Sequence, residues 1–221
     1  MDQNHNELEL FQDLTIFGAP EQLDATKSAI LSAARNGSAA GWSVALDDQL
    51  RRIRSVDDVI ALERAGDDVA EAASLFMMRR GNRYDLTNIV PLKTGRLGRS
   101  RYNAILQDFI SNIAEPVAIE TGVSVKKSPQ TKTMEESLGL EVARALRQFS
   151  ANANKATGSL YPLDRHRWYD FIISSRDRHI DTDTLGRWLL MLGWPEDSLH
   201  DLTTEFEFGR GLLQHYSTAD H

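Results

Sequence analysis

The side chains in this sequence best placed to do chemistry together are a run of cations. Between Arg79 and Arg101 stand Arg79, Arg80, Arg83, Lys93, Arg96, Arg99 and Arg101 against the single acid Asp85, so the stretch is +6 in a chain whose net charge is −7. Its core, Lys93-Thr94-Gly95-Arg96-Leu97-Gly98-Arg99-Ser100-Arg101, joins three features: glycines that let a backbone approach a ligand, guanidinium groups, and the free N–H groups of a helix about to begin. These are the components of a site for phosphate, a nucleotide or a nucleic-acid backbone. Lys93, Arg96, Arg99, Arg101, Arg80 and Arg83 are the candidate ligand-binding residues. The segment is not a P-loop, because Lys93 precedes both glycines and the required spacing is absent. The competing reading is a solvated loop whose arginines pair with acids of the same chain.

Other segments carry chemistry less directly. Gly18-Ala19-Pro20 lies where a nucleotide-binding fold places a glycine, but Pro20 removes an N–H that a phosphate would use, so ordinary turn chemistry is expected. His179-Ile180-Asp181-Thr182-Asp183 and the pair His200-Asp201 offer nitrogen and oxygen ligand types. Asp181 or Asp183 is better used as the cap of the helix holding Trp188, with His200 on an exposed face, so no metal site is expected. The spacing in Arg210-Gly211-Leu212-Leu213-Gln214-His215 resembles the Arg-x(4–6)-His pattern of the HEPN-type ribonucleases, which are helical bundles. That resemblance implies an RNase with Arg210 and His215 as its catalytic residues. The segment from Tyr161 to Phe171 is dense in the aromatic and charged residues that interfaces favour. Helical spacing nevertheless puts Trp168, Phe171 and Ile172 in a core and leaves Arg165, Arg167 and Tyr169 outside. Trp194, between Gly193 and Pro195, fits no helix face and is expected to be a partly exposed anchor.

Stepping from these residues to their scaffold, 221 residues with 41% hydrophobic content can bury a substantial core. The sequence contains no cysteine, which excludes disulfides, thiolate metal sites and thiol nucleophiles. Met1 is followed by Asp2-Gln3-Asn4-His5-Asn6-Glu7 rather than by basic and apolar runs, and no apolar run approaches the length of a membrane span, so a soluble cytoplasmic protein is expected. Alternation at Leu8, Leu10, Leu14 and Ile16 predicts a first strand, then a helix from Pro20 to about Arg35. A strand at Trp42–Leu46, one helix over Ser55–Ala73 or two broken at Gly66, and a hairpin of Leu75–Met78 with Tyr84–Val90 follow. Residues Tyr102, Ile105, Leu106, Phe109, Ile110, Ile113 and Val117 spell the clearest amphipathic helix, ended or kinked by Pro116, and Val123 and Val125 a last strand.

This order is that of an α+β protein with an N-terminal ferredoxin-like (split βαβ) α/β sandwich, residues 1–129. After Pro129 no strand is expected. A C-terminal cluster of about four helices, residues 130–221, is expected instead, the last with Leu199, Leu202, Phe206, Leu213 and Tyr216 as its buried stripe. The alternative arrangement packs the helical region on the sheet as one unit. With the basic clusters at the two ends of the hairpin, Arg80–Arg83 and Arg96–Arg101 are expected to form one basic stripe. Caps, turns and apolar stripes account for nearly every notable residue. The sequence therefore favours a non-catalytic protein-interaction or regulatory protein with an unidentified protein partner, no cofactor and no membrane. An anionic ligand on the Arg79–Arg101 stretch is the first alternative and the RNase the second.

Overall fold

The computed structural model describes residues 7–37, 39, 41–45, 58–67, 70–93 and 95–219. They fall into two compact units. One is Glu9–Gln130; the other joins Thr131–His221 to the N-terminal Met1–Leu8. The chain is mixed α/β with a six-stranded antiparallel sheet.

In chain order the first elements are β1 (Glu7–Glu9), β2 (Leu14–Phe17), α1 (Pro20–Arg35), β3 (Trp42–Val44), β4 (Val59–Arg64), β5 (Ala73–Arg79) and β6 (Arg83–Pro91). A long helical run follows, made of α2 (Arg99–Phe109), a π turn (Ile110–Ala114) and α3 (Glu115–Thr121), and then β7 (Ser124–Lys127). The six strands lie in the order β3-β4-β5-β6-β2-β7, each antiparallel to its neighbours. Because side chains alternate along a strand, Leu14 and Ile16, Ile60 and Leu62, Leu75 and Met77, and Tyr84 and Leu86 all point to one face. There they meet Leu23 and Ile30 of α1 and Ile105, Leu106 and Phe109 of α2. Each such side chain withdrawn from water contributes about 1.5–3 kcal/mol, which is what holds the helices to the sheet. The opposite face carries a smaller apolar cluster of Ala45, Val59 and Ala61 with Phe76 against it.

Three expectations are corrected here. The alternation from Leu8 to Ile16 is not one strand: β1 ends at Glu9, β2 begins at Leu14, and the two belong to different sheets. The predicted helix over Ser55–Ala73 contains β4 instead, while Ser55 and Asp57, its proposed opening, lie outside the described residues, as does Leu46 of the Trp42 strand. Val59, Ile60, Ala61 and Leu62 are all buried, so the strand reads as a continuous apolar run without alternation. Pro116 does not end the long helix. The π turn carries the Glu115 N–H back to the Ile110 carbonyl, and Pro116 then sits at the start of α3, where no donor is required. The helix stops at Gly122, whose φ of 70° is the left-handed conformation that glycine adopts without a Cβ penalty.

Two buried polar networks fix this unit. Arg64, 4% exposed, donates from Nε to Asp108 at 3.0 Å, from Nη2 to Asp67 at 2.7 Å and from Nη1 to the Ala65 and Ala70 carbonyls, while Trp42 Nε1 donates to the same Asp108 at 2.8 Å. Asn103 accepts from the Gln12 N–H at 2.9 Å and donates to the Leu10 carbonyl at 2.7 Å, tying the segment before β2 to α2.

The second unit begins with β8 (Thr131–Thr133), which pairs with β1, so one short strand follows Pro129 where none is expected. Thr133 and Glu136 then form a reciprocal capping box that opens α4 (Met134–Leu138). The remaining helices are α5 (Leu140–Asn152), α6 (Pro162–Ser174), α7 (Thr182–Met191) and α8 (Glu196–Ala219). Their core is a chain of rings: Trp194 stacks on Phe149 at 5.0 Å, Phe149 meets Trp168 at 4.7 Å, Trp168 meets Phe171 at 5.0 Å, and Phe171 meets Phe206 at 5.5 Å. Trp168 is buried as its spacing predicts. Trp194 is not an exposed anchor: it is 2% exposed, and its Nε1 donates to Ser150 Oγ at 2.9 Å, which resolves the polar end of a ring otherwise committed to the core. Tyr216 is also corrected, being 70% exposed rather than part of the buried stripe.

Candidate interaction site

Within the helical unit, α6 and α8 pack closely and leave an apolar groove between them. Pro162 opens α6 with its preset φ, and Trp168, Phe171 and Ile172 turn inward at helical spacing. The close approach depends on Gly209 of α8. A Cβ there would stand 3.1 Å from Ile172 Cγ2 and 3.2 Å from its Cδ1, tighter than ordinary packing. Arg210 fastens the same helix. Its Nη1 donates to the Ile180 carbonyl at 3.0 Å, its Nη2 to the Arg178 carbonyl, and the guanidinium lies 5.4 Å from the centroid of the Phe206 ring.

Above this contact lies a cavity of about 510 Å³. Tyr169, Ile172 and Ile173 of α6 and Phe208, Leu212 and Leu213 of α8 line it, with Glu205 at its edge. Phe208 is 73% exposed, Leu212 60% and Ile173 50%. Single exposed apolar residues are ordinary, whereas here a contiguous set comes from two ordered helices.

The structure separates the other candidate residues. Arg80 and Arg83 share Asp85, at 4.0 and 2.9 Å, and Asp85 also accepts from Thr15 at 3.1 Å on the sheet face opposite the helices. Arg79 instead pairs with Asp24 of α1. At the other end of the hairpin, Arg101 pairs with Glu71 at 3.3 Å, and Arg99 lies 5.1 Å from the centroid of the Phe11 ring. The two clusters thus lie at opposite ends of the β5–β6 hairpin, each with its own partners. Lys93 and Arg96 are exposed, and Arg96 borders a cavity of about 400 Å³ whose walls include Phe11, Leu97 and Tyr102. Burial, with a smaller contribution from Asp13, raises the Tyr102 hydroxyl to about 12. The N-terminus of α2 has Gly98 as its cap and no acid in its first turn, only Arg99 and Arg101.

In the helical unit, His215 is exposed and lies five residues beyond Arg210, about 140° around the helix. Arg210 and His215 therefore occupy different faces, and the Arg210 guanidinium is spent on backbone carbonyls. Asp181 caps α7, accepting from the Thr184 N–H and hydroxyl, both at 2.8 Å. Burial pushes its carboxyl up, but those donors outweigh it and hold it below its ordinary value. Among the described residues no three His, Asp or Glu side chains gather as a metal site, and no helix is long and apolar enough to cross a membrane.

The apolar groove is the feature that the sequence reading misses. Its signal is a second stripe on α8, with Phe208 and Leu212 four residues apart and off the face that carries Leu202 and Phe206. Comparison with protein-family models, curated proteins and solved structures finds no match for this chain.

Proposed function

We propose that this chain is a non-catalytic interaction or regulatory protein that binds a protein partner through the groove between α6 and α8. The observation that carries the reading is the exposure of Phe208, Leu212 and Ile173 on helices whose inward faces bury Trp168, Phe171, Leu202 and Phe206. Apolar grooves between helices are a recurrent docking mode for protein segments, because burying the exposed side chains supplies the driving force and the rigid helices supply the register. The test is capture on the immobilised chain. A stoichiometric protein partner is expected on the wild type and lost on the Phe208→Ser, Leu212→Ser double variant. Purified protein that turns over a substrate alone contradicts the reading.

A second reading is favoured by the first turn of α2, which holds Arg99 and Arg101 and no acid of its own at the positive end of the helix dipole, with Arg96 exposed nearby. Cations there are unfavourable on their own and favourable once an anion is bound. Phosphate, ATP or oligonucleotides are then expected to raise the melting temperature, and to do so no longer when Arg96, Arg99 and Arg101 are neutralised together.

The proposal includes a ferredoxin-like core for the sheet, supported by the order β7-β2-β6-β5 with helices between β2 and β3 and between β6 and β7, and with β3 and β4 as an extension. It also includes an α/β region at 1–129, a separate helical cluster at 130–221, and a cytoplasmic location, which an acidic, cysteine-free composition suits.

A further inference from the structure

The geometry points to a basic amphipathic helix as the occupant of the α6–α8 groove, an inference that rests on the interaction reading above and names its partner's chemistry. Along α8, Asp197, Asp201, Glu205, Phe208, Leu212 and Tyr216 follow one another at steps of three or four residues, so they form one strip, and all six are exposed. The strip is acidic over its first half and apolar over its second. Each half spans nine residues, about 12 Å of helix axis. Across the groove Asp170 is exposed beside Tyr169.

The cations near the groove are already engaged. Arg165 donates to the Ser159 and Leu160 carbonyls, Arg176 pairs with Asp177 at 3.2 Å, and Arg210, the only Lys or Arg of α8, holds the Arg178 and Ile180 carbonyls. A second copy of this chain docked by α8 would cover the apolar half while offering no cation to Asp197, Asp201 and Glu205. A helix with apolar residues at i, i+4 and i+7 over one half and Lys or Arg over the other satisfies both halves at once. The basic end lies over Asp197–Glu205, which fixes the direction of the partner's charge along the groove and gives the pairing its specificity.

A display library of helical peptides of about 18 residues, selected on the full chain, tests this. The selected peptides are expected to carry an apolar stripe with Lys or Arg clustered at one end. Their affinity falls about tenfold or more on Leu212→Ser, the loss expected for one exposed leucine's worth of apolar contact. It weakens further with rising salt, and that salt dependence is reduced in the Asp201→Asn, Glu205→Gln variant. Both positions are exposed, a glutamine Oε1 can still accept the 2.6 Å bond that Ser159 Oγ donates to Glu205, and unchanged melting temperatures establish that the variants fold. Peptides that depend on Leu212 but are neutral or acidic overturn the basic partner and leave the groove as a docking site. Failure to enrich any peptide, or binding that survives Leu212→Ser, overturns both. Concentration-dependent dimerisation abolished by Leu212→Ser assigns the groove to a second copy and also overturns the proposal.

Discussion

Arg210 separates a structural role from a catalytic one, because the same residue carries both the ribonuclease-like spacing and the fastening of α8. Arg210→Ala removes the bond from Nη1 to the Ile180 carbonyl at 3.0 Å, the bond from Nη2 to the Arg178 carbonyl, and the guanidinium 5.4 Å from the centroid of the Phe206 ring. A hydrogen bond from a charged donor contributes about 1.5–3 kcal/mol. The Nη2 bond is at the surface and counts at or below the lower end, and the ring contact adds about 0.5 kcal/mol. The expected loss is therefore about 3 kcal/mol of unfolding free energy, which in a unit of roughly 100 residues lowers the melting temperature by more than about 10 °C. Urea unfolding followed by tryptophan fluorescence reads this unit directly, since Trp168, Trp188 and Trp194 all lie in its core. Arg210→Lys is expected to recover little, because an ammonium cannot reproduce the guanidinium fork that spans two carbonyls. The exposed His215→Ala is expected to shift stability by less than about 0.5 kcal/mol. An Arg210→Ala protein as stable as wild type refutes the reasoning, and RNA cleavage abolished by either substitution in a folded protein restores the catalytic reading.

Two further outcomes follow from polar groups. Asp108→Ala leaves the buried Arg64 with Asp67 as its remaining carboxylate and deprives Trp42 Nε1 of its acceptor, so a loss of about 3–5 kcal/mol is expected in denaturant titration, with Trp42 emission as the local probe. In the helical unit, the Thr133 backbone N–H and hydroxyl hold Glu136 below its ordinary 4.5, and Arg147 does the same for Glu135. Folded-state carboxyls lowered in this way give stability that is present above the ordinary carboxylate range and lost as pH falls below it, and Glu136→Gln is expected to flatten that part of a pH–stability curve.

The legible parts of this fold are those where one physical signal is unopposed. The β2–α1 passage is announced by alternation followed by Pro20, the β5–β6 hairpin by two apolar runs around Arg80-Gly81-Asn82-Arg83, and the helices after Met134 by caps and 3.6-residue spacing. The sequence misleads where two environments produce the same pattern. Val59-Ile60-Ala61-Leu62-Glu63-Arg64 is rich in helix formers, and as a strand it is buried on both faces, so alternation vanishes. Pro116 reads as a terminator because a local rule cannot foresee the π turn that removes the need for its donor. Trp194 reads as exposed because its partners, Phe149 and Ser150, come from a helix more than forty residues away. The same limit hides the groove. Phe208 and Leu212 look like core residues of an amphipathic helix, and only the placement of α6 shows which of the two apolar stripes on α8 the unit itself covers.

The most direct measurement of the docking claim is a methyl NMR titration of the full chain with the tightest selected peptide. Binding through the α6–α8 groove predicts that the largest shifts, and the intermolecular contacts, fall on Ile172, Ile173, Leu212 and Leu213, with the signals of the sheet unit unmoved. Contacts centred instead on Leu97 and Val90, beside Arg96, or spread without a focus across both units, contradict it.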